Sequence, residues 1–270
     1  MIKKPTVSKR LVAADLSVGF PSRPAALKSL SISIPDGKIV VIAGPNGCGK
    51  STLLRALARL IRPANGAVLL DGTDVQQLTS IEMAQRLGML PQGAAAPEGM
   101  LVRELVALGR YPFQHWWQTA SAEDGSLVLD AMRLAGVLAL AERTAESLSG
   151  GERQRAWIGM VLAQQTSILL LDEPTTYLDM AHQLDVLELL EQLNRQQGKT
   201  IVIVLHDLNH AARLADHLVL MRDGVIVVEG SPAEIMTVER IAQVFDVEVE
   251  LRLDTENGKP TCVPLRVIRP

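Results

Sequence analysis

With 270 residues, 47% of them apolar and 21% charged, the chain can bury a large core and falls outside the disordered class. A net charge of −3 excludes a globally basic nucleic-acid binder, so no nucleic-acid partner is expected. Its two cysteines, Cys48 and Cys262, show no metal-like pairing and point to a reduced, cytoplasmic protein.

Lys3 and Lys4 lie near the start, but no apolar segment of signal-peptide length follows them. The longest apolar runs are far shorter than the ~20 residues that a membrane helix needs. The chain is therefore expected to be soluble and to reach a membrane only through another chain. Aromatics are 3% of the residues, so aliphatic side chains must build the interior.

Taken in chain order, residues 11–18 and 30–34 read as short strands, and 67–70 follow the turn pair Asn65-Gly66. These predict an antiparallel β layer. Residues 39–43 are apolar throughout, as in a strand covered on both faces. Helical spacing follows over 50–60, then a strand over 87–90. From about 93 to 148 the pattern is helix and loop, with a helix over 123–135, and reads as a helical insertion. Next come a helix over 152–164, a strand over 168–171, a helix over 181–196, and strands over 201–205 and 218–221. After Gly230, short helices and a small strand pair around Glu256-Asn257-Gly258 are expected. The alternation of strands and helices predicts an α/β fold with a mainly parallel sheet beside the N-terminal antiparallel layer.

Gly44-Pro45-Asn46-Gly47-Cys48-Gly49-Lys50-Ser51-Thr52 fits G-x-x-x-x-G-K-[ST], with a predicted strand before it and a helix after it. Its glycines let the backbone curl so that amide N–H groups and the helix N-terminus solvate phosphate oxygens. Lys50 supplies a charge for the β- and γ-phosphates, and the Ser51 hydroxyl is placed to ligate Mg2+. Cys48, inside this loop, is read as packing or as close approach of a nucleotide rather than redox chemistry. The strand over 168–171 ends in Asp172-Glu173. Carboxylates at the carboxyl end of a parallel strand sit where open α/β sheets bind ligands. Asp172 is a candidate metal ligand and Glu173 a candidate base for an attacking water. Alone, such a pair also reads as an ordinary strand end. Leu148-Ser149-Gly150-Gly151-Glu152 precedes the helix over 152–164 and by itself reads as an N-terminal cap.

In this order the motifs resemble the ABC ATPase family over nearly the whole chain, with Ser149, Gly150 and Gly151 matching its signature. The resemblance implies a P-loop NTPase ABC cassette that binds and hydrolyses ATP with Mg2+. It further implies that Phe20 stacks on adenine, that Gln92 touches Mg2+ and the attacking water, that Asp179 belongs to the D-loop Thr176-Tyr177-Leu178-Asp179, and that His206 is the switch histidine. Alone, Phe20 reads as core, Gln92 as loop surface and His206 as a helix cap. Glu152 stands where glutamine is commonest in the family, and a carboxylate there suits the positive end of a helix. The resemblance divides the chain by role. Residues 1–92 and 149–230 form the ATP-binding core, 93–148 a helical subdomain for permease docking, and 231–270 a C-terminal extension.

Cassettes of this family pair head to tail, so the implied partners are a second copy of the chain and two transmembrane permease subunits, with an extracytoplasmic binding protein acting indirectly. The implied location is peripheral, on the cytoplasmic face of the inner membrane. Pro97-Glu98-Gly99, Gly109-Arg110-Tyr111-Pro112, Thr175-Thr176-Tyr177-Leu178-Asp179 with His182-Gln183, and Leu205-His206-Asp207-Leu208-Asn209 are similar to ATPases that import ferric siderophores, including ferric citrate. Haem and cobalamin importers are near relatives, and a soluble ABC ATPase of cluster assembly is the reading from another class. A P-loop kinase has no use for Ser149-Gly150-Gly151. Tyr111 through Trp117 are expected to pack the insertion or to form the surface that docks the permease.

Overall fold

The computed structural model describes residues 9–21, 23–114, 121–176, 178–254 and 258–268. The chain opens with β1 (Lys9–Phe20), β2 (Arg23–Pro35), β3 (Ile39–Ala43), α1 (Lys50–Leu57), β4 (Asn65–Leu70) and β5 (Thr73–Asp74). It continues through α2 (Ser80–Arg86), β6 (Leu87–Leu90), α3 (Val102–Ala107), α4 (Ala122–Leu134), α5 (Gly150–Ala163), β7 (Ile168–Asp172) and α6 (Met180–Gln197). It closes with β8 (Thr200–Val204), α7 (Leu208–Leu214), β9 (His217–Arg222), β10 (Val225–Gly230), α8 (Pro232–Ile235), α9 (Val238–Phe245), β11 (Val247–Leu253) and β12 (Pro260–Val267). These elements gather into two compact units, Met1–Gln77 with Thr200–Pro270, and Leu78–Lys199. The helical stretch 93–148 lies inside the second unit, together with 78–92 and 149–199, which the motifs assign to the nucleotide-binding core.

In the first unit, β3 runs parallel to both β8 and β9, with Ile42 opposite Val204 and Val219. Every side chain of β3 and β8 is buried, as their uninterrupted apolar sequence requires of strands covered on both faces. β10 pairs antiparallel with β9 at the edge. This strand is not expected from the pattern above, yet its signal was present. Asp223-Gly224 takes φ +51 and +84, the two left-handed residues of a tight hairpin turn. A separate antiparallel sheet runs β2-β1-β4-β5. β11 and β12 form the C-terminal hairpin, and Glu256 and Asn257 lie outside the described residues.

α1 ends at Leu57, short of the predicted residue 60. Arg59 adopts φ +60, and the Leu60 and Arg59 N–H groups donate to Arg55 O (2.8 Å) and Ala56 O (3.0 Å). This is a Schellman closure built on a non-glycine residue, which periodicity cannot reveal. β8 starts one residue earlier than predicted, at Thr200. The Thr200 hydroxyl donates to Asp36 and accepts from the Gly37 N–H, which fixes the strand start.

In the second unit, β6 and β7 pair in parallel, Leu87 opposite Ile168 and Leu90 opposite Leu171. α3 and α4 pack on α5, and Val106, Ala131, Met132 and Ile158 of these helices are buried. A Cβ on Gly159 would lie 3.3 Å from both Ala135 and Val106, so this glycine sets how closely the helices approach. Ser121 caps α4 in a capping box with Asp124. The buried Arg110 guanidinium donates to Asp124 (2.7 Å) and to Ala163 O (3.0 Å), and stacks over Phe113 at 4.2 Å.

Arg110 holds the Asp124 carboxyl below its usual range, chiefly through their hydrogen bond. A depressed carboxylate adds stability above its unfolded pKa, about 3.9, and loses it as pH falls through the folded value. Arg110→Ala removes the cation from a half-buried Asp124. It is expected to cost about 2 kcal/mol in urea unfolding at neutral pH, as for a hydrogen bond to a charged group, with a shallower stability loss on acidification below pH ~4 than the parent shows.

Candidate active site

The phosphate loop joins β3 to α1 in backbone conformations open mainly to glycine. Gly47 and Gly49 take φ +73 and +113. A Cβ on Gly49 would lie 2.7 Å from Ala26 O, and one on Gly44 2.2 Å from Met221 O. The loop is braced by Cys48 N–H to Pro45 O (3.2 Å) and by Gly224 N–H to Cys48 O (2.9 Å). Lys50 is only 4% exposed, and its ammonium donates to Gly44 O (2.8 Å) and Pro45 O (2.9 Å). A fixed cation thus sits inside the curl, beside the open N-terminus of α1, which is how a polyanion is received. Ser51 and Thr52 follow Lys50 in the first turn of α1. Cys48 is buried, and burial pushes its thiol up against a smaller opposing pull from Lys50. The thiol therefore stays protonated and packs, as expected.

His206 follows β8, whose carboxyl end lies beside that of β3. The Leu205 N–H donates to Ile42 O at 3.2 Å. The first unit so brings His206 and the phosphate loop to neighbouring strand ends. His206 does not cap the next helix. Asp207 does, accepting from the Asn209 and His210 N–H groups at 2.8 Å each. Phe20 ends β1 and is 37% exposed, so its ring is not core. Its pairing partner Arg23 reaches the loop, with Nη1 3.9 Å from where a Gly47 Cβ would stand. Arg23 adds a second positive charge at the phosphate loop. Sequence reasoning missed it because nothing in the motif marks a residue brought in by strand pairing.

In the second unit, Asp172 ends β7 and is fully buried. Glu173 adopts φ +54, a left-handed conformation that costs a non-glycine residue about 1 kcal/mol. Its carboxylate accepts from Gln92 Nε2 at 2.6 Å and from the Thr176 hydroxyl at 3.2 Å. Gln92, Gly150, Asp172 and Glu173 share the lining of one cavity of about 690 Å3.

Ser149 caps α5 in a capping box. Its hydroxyl accepts from Glu152 N–H (3.3 Å), and the Glu152 carboxylate accepts from Ser149 N–H (2.9 Å). That backbone hydrogen bond holds the Glu152 carboxyl below its usual range. Asp179 caps α6, accepting from His182 N–H (2.9 Å) and lying 2.7 Å from His182 Nδ1. The His182 ring in turn covers Gly151, where a Cβ would come within 2.7 Å of it. His182 therefore bridges the signature and the D-loop.

A family model for the ABC transporter matches residues 27–176. The chain belongs to the ABC transporter family. A ferric enterobactin transport ATP-binding protein of Escherichia coli (strain K12) is 50% identical to this ABC ATPase over 256 residues, covering 95% of the chain and 94% of the relative. Among solved structures, a metal-chelate type ABC transporter in an inward-facing conformation matches with a TM-score of 0.83 at 29% identity, over 96% of this chain and 98% of the other. A dimeric ATP-binding cassette in a post-hydrolysis state, bound to ADP and Pi, matches with a TM-score of 0.73 at 28% identity, over 82% and 98%. The cassette fold expected from the sequence is thus the fold of this ABC ATPase, and it binds ATP.

Gly49→Ala in this ABC ATPase must displace the phosphate loop from Ala26 O. It is expected to weaken binding of a fluorescent ATP analogue at least tenfold (roughly 1.4 kcal/mol), while urea unfolding of the second unit's helices is unchanged.

Proposed function

We propose that this ABC ATPase energises the import of an iron chelate, a ferric siderophore or ferric citrate, as a pair of copies beneath two permease subunits. The hydrolytic part is carried by the 2.6 Å hydrogen bond between Gln92 and Glu173 at the end of β7, where a base and a water-orienting amide meet. The iron-chelate part is supported by the ferric enterobactin relative at 50% identity.

Phe20 stacks on adenine, and residues 44–52 wrap the phosphates with Lys50 and Arg23 balancing their charge. The family resemblance assigns Ser51, Gln92 and Asp172 to Mg2+, and each side chain carries the kind of oxygen donor that Mg2+ prefers. Bound there, Mg2+ would neutralise charge on the β- and γ-phosphates. Glu173 takes a proton from water as the water oxygen bonds to the γ-phosphorus and the bond to ADP breaks. His206 steadies the γ-phosphate. Ser149, Gly150 and Gly151 of a second copy present the amino end of α5 to that phosphate, and Asp179 lies beside them at the amino end of α6. Hydrolysis removes the group that both copies hold, and the pair opens.

Among the described residues no helix is long and apolar enough to cross a membrane. The permeases hold the cassette at the cytoplasmic face of the inner membrane, and the helical stretch 93–148 is their docking part. Leu108 and Tyr111 expose apolar surface there, Tyr111 at 76%. Trp116 and Trp117, expected in the same surface, lie outside the described residues.

Glu173→Gln is expected to bind ATP within about threefold of the parent while phosphate release falls at least ~100-fold. Full turnover would remove Glu173 as the base. In cells lacking this chain, uptake of 55Fe-labelled ferric siderophores should be lost, restored by the parent gene and not by Glu173→Gln. Restored cobalamin or haem uptake with unchanged iron uptake would overturn the iron assignment.

A further inference from the structure

The C-terminal hairpin holds α7, the helix that directly follows His206, at both of its ends. At the amino end, Asn209 accepts from the Cys262 N–H (2.7 Å) and donates to Cys262 O (3.2 Å), so its amide pairs with β12 as a neighbouring strand would. At the carboxyl end, Lys259, just before the same strand, donates to Arg213 O and Ala215 O. A cation on the last carbonyls of a helix completes them and suits the helix dipole. Beside the first anchor lies a cavity of about 230 Å3, lined by His206, Asp207, Asn209, Ile241, Phe245 and Cys262. Across this gap the Asn209–Cys262 pair is a direct polar link between the start of α7 and the hairpin.

We propose that the β11–β12 hairpin is a positioning element for the switch histidine, and that Asn209 is the positioning residue through which it acts. This rests on the reading of His206 as the group that steadies the γ-phosphate. Asn209 has no place in the ATP motifs, and it lies two residues beyond the cap Asp207 in the first turn of α7. Its amide is bound by the backbone of the C-terminal extension in both directions, so the extension braces the first turn of α7, just beyond His206 and its neighbour Asp207. A sub-ångström displacement of a phosphate-steadying group lowers turnover with little effect on ATP affinity, because that affinity is set by the phosphate loop.

The test is a kinetic cycle on the full chain with Asn209→Ala, His206→Ala and the double variant, measuring kcat, KM for ATP and Tm. Asn209→Ala is expected to lower kcat about tenfold with KM within twofold. Asn209→Asp, which keeps the acceptor for the Cys262 N–H and loses the donor, should fall between. In the His206→Ala background, Asn209→Ala should lower kcat no further. An unchanged kcat in Asn209→Ala, or an equal fall in both backgrounds, would overturn the proposal, since a merely structural loss does not depend on His206. Wild-type turnover in His206→Ala would instead overturn the reading of His206 itself.

Discussion

The structure turns on the burial of one cation. The Lys50 ammonium is held inside the phosphate loop by the carbonyls of Gly44 and Pro45. Carbonyl dipoles offset only part of the desolvation of a buried charge, and the remainder is supplied by an anionic ligand. The loop can adopt this shape because Gly47 and Gly49 take left-handed angles and Gly44 and Gly49 leave no room for a Cβ. Arg23 adds its charge from the β1–β2 turn. The site is thus prepared for a polyphosphate before any arrives, which is the condition for tight binding at small reorganisation cost.

The second unit uses helix ends where the first uses a glycine loop. Ser149 with Glu152 completes the start of α5, and Asp179 with His182 completes the start of α6. Both caps also belong to motifs read as ATP-contacting, and the His182 ring seated on Gly151 joins them. Glu173 carries the one strained conformation at the end of β7, where Gln92 and Thr176 hold its carboxylate. Strain of this kind persists where the surroundings over-determine it, and it aims the carboxylate rather than leaving it to solvent.

Legibility in the sequence followed the range of the interaction. β3 and β6 could be read to their end residues because their burial on both faces is written in uninterrupted apolar runs. The phosphate loop was legible because a glycine backbone needs particular residues at particular positions. Glu152 was read as favouring the helix dipole, whereas it closes a capping box whose S-x-x-E spacing was on view. By contrast, α1 stops at a left-handed Arg59, Arg23 reaches the loop through strand pairing, and Asn209 meets Cys262 across more than fifty residues of chain. Local composition carries no trace of these, since each depends on which distant backbone arrives beside the residue. The helix cap after β8 was legible in kind, though the reading of His206 taken alone placed it one residue before Asp207, which fills it.

In the proposed pair each copy supplies half of a composite ATP site, the phosphate loop from one and Ser149 with its helix from the other. Sedimentation equilibrium of the hydrolysis-deficient Glu173→Gln chain, with and without ATP, is the decisive test. Monomers are expected without nucleotide, dimers at saturating ATP, and ATP-bound monomers again when Ser149→Arg is added. An ATP-loaded monomer in Glu173→Gln, or a dimer that survives Ser149→Arg, would contradict the composite site.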